Sequence, residues 1–229
     1  NWGGGFTSTF KTCVFKKKNK ILLILNKAME LSMFFSFFVS FVLFIGSEEI
    51  ISALFVYGSF NEDAFSISAK SVFYFVLGLP AFALIKVFST FFFANNDIKT
   101  PFYISLIFVI LNIFISLCYF KSIGFIIIPV ATTISSWFNS IILFIYLKKR
   151  DLFKFNKIFF INFLKIIFAS ILMGIFFNFL ILFLEKQLVY DYNFKSFYLI
   201  LSVLLGLTFY LLVSFFIKAF NYKDLQLKY

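Results

Sequence analysis

Residues 158–184 read IFFINFLKIIFASILMGIFFNFLILFL, an apolar run in which Lys165 is the only charged side chain. At 1.5 Å per residue, a helix over this run would be about 40 Å long, enough to cross the roughly 30 Å hydrocarbon core of a bilayer. The rest of the chain is similar, because 62% of its 229 residues are hydrophobic and 14% are charged, against about 25% charged residues in a soluble domain. The sequence therefore predicts an all-α, polytopic integral membrane protein.

Six apolar segments are predicted to cross the membrane. They lie at about residues 31–45, 64–94, 101–120, 123–147, 158–184 and 197–220. We interpret residues 1–27, which are basic and glycine-rich, as a cytoplasmic segment or the end of a truncated preceding helix. Residues 28–150 would form four helices of one lobe, and residues 151–229 a terminal two-helix hairpin. Because the chain begins with Asn1 and shows no signal-peptide pattern, we expect it to be a piece of a longer polypeptide or an incomplete gene product.

The distribution of cations predicts the orientation of these segments. Of the 21 Lys and Arg residues, sixteen fall in loops on one side and four on the other, with Lys86 between the two sides. The smaller group consists of Lys70, Lys121, Lys186 and Lys195. Loops rich in Lys and Arg stay in the cytoplasm. We therefore expect a multi-pass protein with both ends cytoplasmic.

The composition also limits the chemistry that the chain can perform. There is no His and there are two Cys, so zinc sites, Cys–His nucleophiles and disulfide frameworks are poorly supported. The ten acidic residues are scattered, whereas a membrane enzyme acting on polyprenyl phosphate usually presents clustered carboxylates or a His. The cations lie in gaps between apolar segments, which is typical of membrane loops and not of a nucleic-acid-binding surface. We predict no metal site, no enzymatic activity and no nucleic-acid partner.

The second segment contains a predicted kink and a charged residue. Gly78 and Pro80 lie near its middle, and Pro80 cannot donate a hydrogen bond to the carbonyl of Val76, so the helix should bend there. Lys86 follows nearly two turns later and has two interpretations. Its side chain either reaches toward the cytoplasmic headgroups, or it faces a hydrated cavity and contacts an anionic substrate.

Polar residues form stripes on the third and fourth segments. Pro129 is the third predicted helix-kink position, because it frees the carbonyl of Phe125. The stripes either make interhelical hydrogen bonds, worth about 0.6 kcal/mol each, or line a cavity or a small-cation site. Because neither stripe contains a carboxylate, packing is the favoured interpretation. The candidate substrate-cavity residues are Lys86, Asn112, Thr132, Ser136 and Asn139.

The last two segments carry small residues at every fourth position. These are Ser170, Gly174 and Asn178 in the fifth segment, and Ser202 and Gly206 in the sixth. Small residues at this spacing allow neighbouring helices to approach closely. We expect a packed hairpin that faces lipid or a lipid tail.

Four stretches of the chain carry a family resemblance: NKAMELS at residues 26–32, IISALFVYGSF at 50–60, GLPAFALIKV at 78–87 and ATTISSWFN at 131–139. Taken in this order, they resemble the MurJ/MviN lipid II flippases. Asn96-Asp97 and Lys99-Thr100-Pro101 add to the third match, and Thr100 with Pro101 reads as the start of a helix. The resemblance covers about residues 20–150, and the two plain segments that follow fit the family's terminal pair of helices.

The resemblance implies a fold of fourteen helices, of which this chain would be the last six, a partial lobe like those of flippases and multidrug exporters. It implies movement of an undecaprenyl-diphosphate-linked peptidoglycan precursor across the bacterial inner membrane by alternating access, with the terminal hairpin lining a groove for the lipid tail. The expected partners are this precursor, membrane lipids and the N-terminal lobe of the same protein. No cofactor is implied, beyond coupling to Na⁺ or to the membrane potential.

The resemblance also implies a candidate cation site at Asn112, Ser116 and Thr132. Asn112 and Thr132 match the family's positions, but Ser116 stands where an acidic or amide side chain is expected. Two alternative functions stay open. The chain could belong to another exporter of lipid-linked oligosaccharides or drugs in the same superfamily, or it could be a membrane subunit that transports nothing itself.

Overall fold

The computed structural model describes residues 4–55, 62–150, 157–188 and 194–219, with side chains described from residue 24 onward except at positions 62, 157, 186 and 187. All regular elements in these ranges are helices, which confirms the predicted fold class. They are α1 (Gly4–Ile45), α2 (Ser47–Phe55), α3 (Glu62–Val76), α4 (Leu79–Ala94), α5 (Lys99–Ile123), α6 (Ile127–Lys149), α7 (Lys157–Phe183), α8 (Glu185–Leu188) and α9 (Lys195–Phe216). A short 3₁₀ turn, Gly124–Ile126, joins α5 to α6.

Four apolar stretches in the described ranges are long enough to cross a membrane: Ile24–Ile45, Lys99–Lys149, Ile158–Phe183 and Lys195–Phe216. The pair α3 and α4 is bent by 44° and forms a further crossing if it is taken as one broken span. The stretch of 51 residues is itself two crossings, because α5 and α6 fold back on each other. Counted in this way, the described helices provide six candidate crossings, the number that the sequence predicts.

The reversal between α5 and α6 depends on Gly124. Its φ of +72° lies in a region that residues with side chains rarely adopt. Two hydrogen bonds set the antiparallel register of the hairpin, one from Asn112 to Thr132 at 2.9 Å and one from Asn139 to Ser105 at 3.3 Å.

Helix α1 begins well before the predicted first span. It is continuous from Gly4 to Ile45, and its apolar stretch begins at Ile24 and not near residue 31. The lysines before residue 28 do not interrupt it, because Lys is a good helix former. The division of the chain at residue 27 therefore lies within a helix, and the interpretation of residues 1–27 stays a prediction.

Helix α1 lies at the centre and joins two apolar clusters. On one side, Met29 and Met33 belong to an apolar cluster with residues of α4, α5 and α6, including Phe88, Phe108 and Leu143. On the other side, α1 packs against α7 and α9. The members of this second cluster include Phe34, Phe38, Ile166, Met173, Phe177 and Tyr210.

The small residues of the last two helices have different neighbours. Ser170 and Gly174 are buried, whereas Asn178 is exposed. Gly174 faces α1, since a Cβ there would lie 2.9 Å from a ring carbon of Phe41. Gly206 faces α7 with more room, because its Cβ would lie 3.4 Å from Phe177. The terminal hairpin is thus held as closely by α1 as by its own two helices.

Three polar contacts join one end of the bundle. Arg150 at the end of α6 pairs with Asp97 in the turn before α5. Asn162 near the start of α7 donates to Glu30 of α1 at 3.3 Å, and Lys165 donates to the carbonyl of Lys218 at 3.2 Å. The helix ends near these contacts are those whose loops carry most of the predicted cytoplasmic cations.

Candidate functional site

The bend between α3 and α4 exposes backbone carbonyls inside an apolar bundle. Pro80 is the second residue of α4 and leaves the carbonyl of Val76 without its helical donor. The hydroxyl of Ser40, on α1, donates to this carbonyl at 3.4 Å. In a membrane such groups must find partners within the protein, since no water is available there.

Helix α6 supplies partners for two more carbonyls at the same bend. The hydroxyl of Thr133 donates to Tyr74 at 2.8 Å, and the indole Nε1 of Trp137 donates to Leu77 at 2.9 Å. A Cβ on Gly78 would lie 3.1 Å from the Thr133 hydroxyl, so the absence of a side chain lets α6 approach. The bend is therefore held by polar side chains from two other helices.

Ser136, one of the candidate cavity residues, lies beneath this bend. Its side chain is buried and its hydroxyl donates to the carbonyl of Thr133 at 2.8 Å. A Cβ on Gly78 would lie 3.2 Å from this hydroxyl. Ser136 therefore packs against the bend, where it helps α6 to fit.

Asn112, Ser116 and Thr132 lie together at the α5–α6 contact. Ser116 donates to the side-chain oxygen of Asn112 at 3.2 Å, Asn112 donates to Thr132 at 2.9 Å, and Thr132 donates to the carbonyl of Ile128 at 2.7 Å. Amide, hydroxyl and carbonyl oxygens such as these can bind a small cation, but here they already take part in hydrogen bonds with one another. No group of acidic, His or Cys side chains suited to a metal ion occurs in the ranges that the structure describes. Cation binding here stays a prediction.

Asn139 and Pro129 lie elsewhere on α6. The amide nitrogen of Asn139 donates to Ser105 at 3.3 Å, while its buried oxygen has no partner among the described residues. Pro129 is the third residue of α6, where its missing N–H interrupts no hydrogen bond of the helix. The chain reverses just before it, at Gly124–Ile126, and does not bend within a long helix.

Lys86 lies near the middle of α4 and is exposed. It borders an open groove of about 470 Å³ between α1 and α4, whose other polar lining residues are Ser32 and Ser36. Its ammonium forms no hydrogen bond or ion pair with any residue that the structure describes. Sequence reasoning missed the two serines. The signal was present, because Ser32, Ser36 and Ser40 recur at every fourth position of α1.

A larger groove of about 760 Å³ lies between α1, α4, α6 and the start of α7. Its lining is almost entirely apolar and includes Met29, Phe88, Trp137, Phe144 and Phe163. Helix α7 therefore contributes one wall of a groove wide enough for hydrocarbon. Among the described residues, α9 adds none to this lining.

The turn between α4 and α5 contains a polar cluster that the sequence reading also missed. Asp97 accepts hydrogen bonds from the backbone N–H and the hydroxyl of Thr100, at 3.0 and 2.7 Å. Arg150 pairs with the Asp97 carboxylate and donates to the Thr100 hydroxyl at 3.2 Å. The bonds from Thr100, and then Arg150, lower the pKa of Asp97 to about 2. Asp97, and not Thr100, therefore caps this helix.

The comparison with known families agrees with this architecture. The family model described as "Lipid II flippase MurJ" matches residues 11–203. The chain belongs to the MurJ lipid II flippase family. The matched region includes the bend between α3 and α4, the groove beside Lys86 and the polar contact between α5 and α6.

Individual relatives and a solved structure give the same assignment. The probable lipid II flippase MurJ of Rickettsia prowazekii (strain Madrid E) is 30% identical over 207 residues, which are 88% of this chain and 40% of the relative. That of Thermotoga maritima is 34% identical over 128 residues, 56% of this chain and 25% of the relative. A solved lipid II flippase MurJ in an inward closed conformation matches 92% of this chain and 41% of its own, with a TM-score of 0.70 and 25% identity. The chain thus spans about 40% of the length of the Rickettsia protein and of the solved flippase.

Proposed function

We propose that this chain is the C-terminal part of a lipid II flippase. It would help to move an undecaprenyl-diphosphate-linked peptidoglycan precursor across the bacterial inner membrane by alternating access. The observation that carries this proposal is the match of 92% of the chain to 41% of a solved flippase at a TM-score of 0.70. The activity needs a second lobe, which we expect from the part of the protein that corresponds to the rest of its relatives.

The proposal assigns different tasks to the two grooves. The groove beside Lys86 carries the polar and charged side chains that a substrate headgroup requires. The groove of about 760 Å³ has the apolar lining that a prenyl tail requires. A lipid-linked precursor has both parts, so this pair of surfaces supports a lipid substrate over a small polar one.

We further propose that both ends of the chain are cytoplasmic. Arg150, Lys165 and Lys218 lie at the same end of the bundle, where Arg150 contacts Asp97 and Lys165 contacts Lys218. Cations gathered at one end of a helical membrane protein favour the cytoplasmic side. Labelling of Cys introduced at either terminus, in intact and in permeabilised cells, would test this orientation.

Complementation would test the proposed activity. A strain depleted of its own lipid II flippase would express this chain together with the remaining N-terminal part of the Rickettsia relative. We expect growth to be restored by the pair and by neither part alone. Failure of the pair, with both parts present in the membrane, would contradict the proposal, and export of drugs by the pair would favour a multidrug exporter.

A further inference from the structure

The groove between α1 and α4 places one cation and two hydroxyls on an otherwise apolar surface. Lys86 comes from α4, and Ser32 and Ser36 come from α1. Helix α1 runs antiparallel to the broken pair of α3 and α4, because Ser40, later in α1, bonds to the carbonyl of Val76, at the end of α3. The two serines therefore lie along the stretch of α1 that faces the part of α4 between the bend and Lys86.

Among the residues that the structure describes, no acidic side chain pairs with Lys86. None of the residues that line the groove is acidic. Glu30 is the nearest acid along α1, and its carboxylate accepts a hydrogen bond from Asn162 of α7. An unbalanced cation within an apolar helix is costly, so it usually marks the path of an anion.

The position of Lys86 on α4 argues against simple extension to the nearer membrane surface. Nine residues separate it from Asn95, at the end of the helix, which corresponds to about 13 Å along the axis. A Cα–Cβ bond in a helix tilts toward the N-terminus, which here means toward Leu79 and the bend. The groove extends in this same direction, since Ala83 and Leu79 also line it.

We propose that Lys86, Ser32 and Ser36 form a subsite for the diphosphate group of a polyprenyl-linked lipid. An ammonium has three donors and a full charge, and each serine hydroxyl can add one more donor to a phosphate oxygen. The Ser36 hydroxyl now donates to the Met33 carbonyl at 3.3 Å, a long bond that rotation of the hydroxyl would exchange for a phosphate. This subsite rests on the proposed flippase function and adds to it the residues that recognise the headgroup.

Binding to the purified 229-residue chain in phosphatidylcholine nanodiscs would test the subsite. The probes are undecaprenyl diphosphate, undecaprenol, inorganic diphosphate and phosphatidylglycerol. We expect undecaprenyl diphosphate to bind about tenfold more tightly than undecaprenol, as for one charge-assisted hydrogen bond. Inorganic diphosphate and phosphatidylglycerol should bind more weakly, because each lacks either the prenyl chain or the second phosphate.

Variants of the chain would then locate the interaction. K86A and K86Q should each lose most of the tenfold preference for the diphosphate lipid, whereas K86R should keep it because the charge remains. The double variant S32A/S36A should lose about threefold. The matched control is K70A, which removes an exposed lysine of α3 that does not line the groove. Helix content from circular dichroism would show that each variant is folded.

Three results would overturn the subsite. The first is equal binding of undecaprenyl diphosphate by the wild type and by folded K86A and K86Q. The second is equal binding of undecaprenol and undecaprenyl diphosphate by the wild type. The third is Lys86-dependent binding of inorganic diphosphate or phosphatidylglycerol as tight as that of the diphosphate lipid, which would assign the groove to free phosphate or to bulk anionic lipid.

The complementation assay separates this proposal from the proposed function. If the wild-type pair restores growth and K86A binds the diphosphate lipid normally, the function stands and the subsite is wrong. If the wild-type pair fails to restore growth but the lipid binds through Lys86, the subsite stands and the function is wrong.

Discussion

Neighbouring helices are held together in different ways at two places in the molecule. One is the bend between α3 and α4, and the other is the terminal hairpin of α7 and α9. At the bend, three carbonyls at the end of α3 and in the turn after it accept hydrogen bonds from Ser40, Thr133 and Trp137. The hairpin relies on close fit, with Gly174 against α1 and stacked rings such as Phe176 with Phe209 at 4.3 Å. The difference follows from the backbone, because a regular helix satisfies its own carbonyls and a broken one does not.

This contrast separates two kinds of sensitivity. A polar side chain at the bend should contribute more to the free energy of unfolding, because it donates a hydrogen bond to a carbonyl that lacks its helical donor. A polar side chain on the hairpin should matter less, since the helix beneath it is already bonded. The hairpin should instead respond to changes in side-chain volume.

The largest expected loss of stability comes from adding side-chain volume inside the hairpin. We expect Gly174→Leu to lower the free energy of unfolding by about 3 kcal/mol, because its Cβ alone would lie 2.9 Å from Phe41 and 3.1 Å from Ile45. Thermal unfolding in detergent micelles, followed by circular dichroism, would measure the loss. Gly206→Ala is the matched control, since its Cβ would make an ordinary 3.4 Å contact. It should be neutral or stabilising by up to about 1 kcal/mol, and equal losses in both variants would remove the contrast between the two glycines.

A second pair of variants compares single hydrogen bonds in the two regions. Trp137→Phe removes the donor to the Leu77 carbonyl at the bend and should cost about 1–3 kcal/mol, because the hydrocarbon of a bilayer holds no water to replace that donor. Tyr210→Phe, on α9, removes the donor to the carbonyl of Phe34 at 3.0 Å. That carbonyl lies within the regular helix α1, so the loss should be about 0.5–1 kcal/mol. A greater loss from Tyr210→Phe, in the same thermal assay, would reverse the proposed order.

The smallest effect is expected at the turn before α5, where water competes for the same bonds. The pKa of Asp97 is lowered from 3.8 to about 2, so its carboxylate stabilises the fold above about pH 4 and this contribution disappears as the pH falls toward 2. Asp97→Asn should cost about 1 kcal/mol or less at neutral pH, because the group is near the surface. The difference in midpoint between wild type and variant, measured from pH 7 to pH 2.5, should shrink as the pH falls. A difference that does not change with pH would show that the charge of Asp97 contributes nothing.

Much of the candidate site follows from residue type alone. Pro80 lacks an N–H wherever it stands, so a bend near Gly78 is predictable without any structure. Lys86 is conspicuous in an apolar segment for the same local reason. The partners are not predictable in this way. Nothing in residues 74–80 shows that Ser40 lies 36 positions earlier in the chain and Trp137 about 60 positions later at the same bend.

The sequence by itself determined that the chain is a membrane bundle of helices, because the length and apolar character of each segment already satisfy the two demands of a bilayer. It also determined which polar and charged side chains lie within the apolar segments. Only the tertiary structure decided which of them meet: Lys86 with Ser32 and Ser36 in a groove, Ser136 packed under the bend, and Asp97 with Arg150 at the end of the bundle. These contacts depend on how the helices cross one another, and the crossing is set by the packing of side chains that are far apart in the sequence.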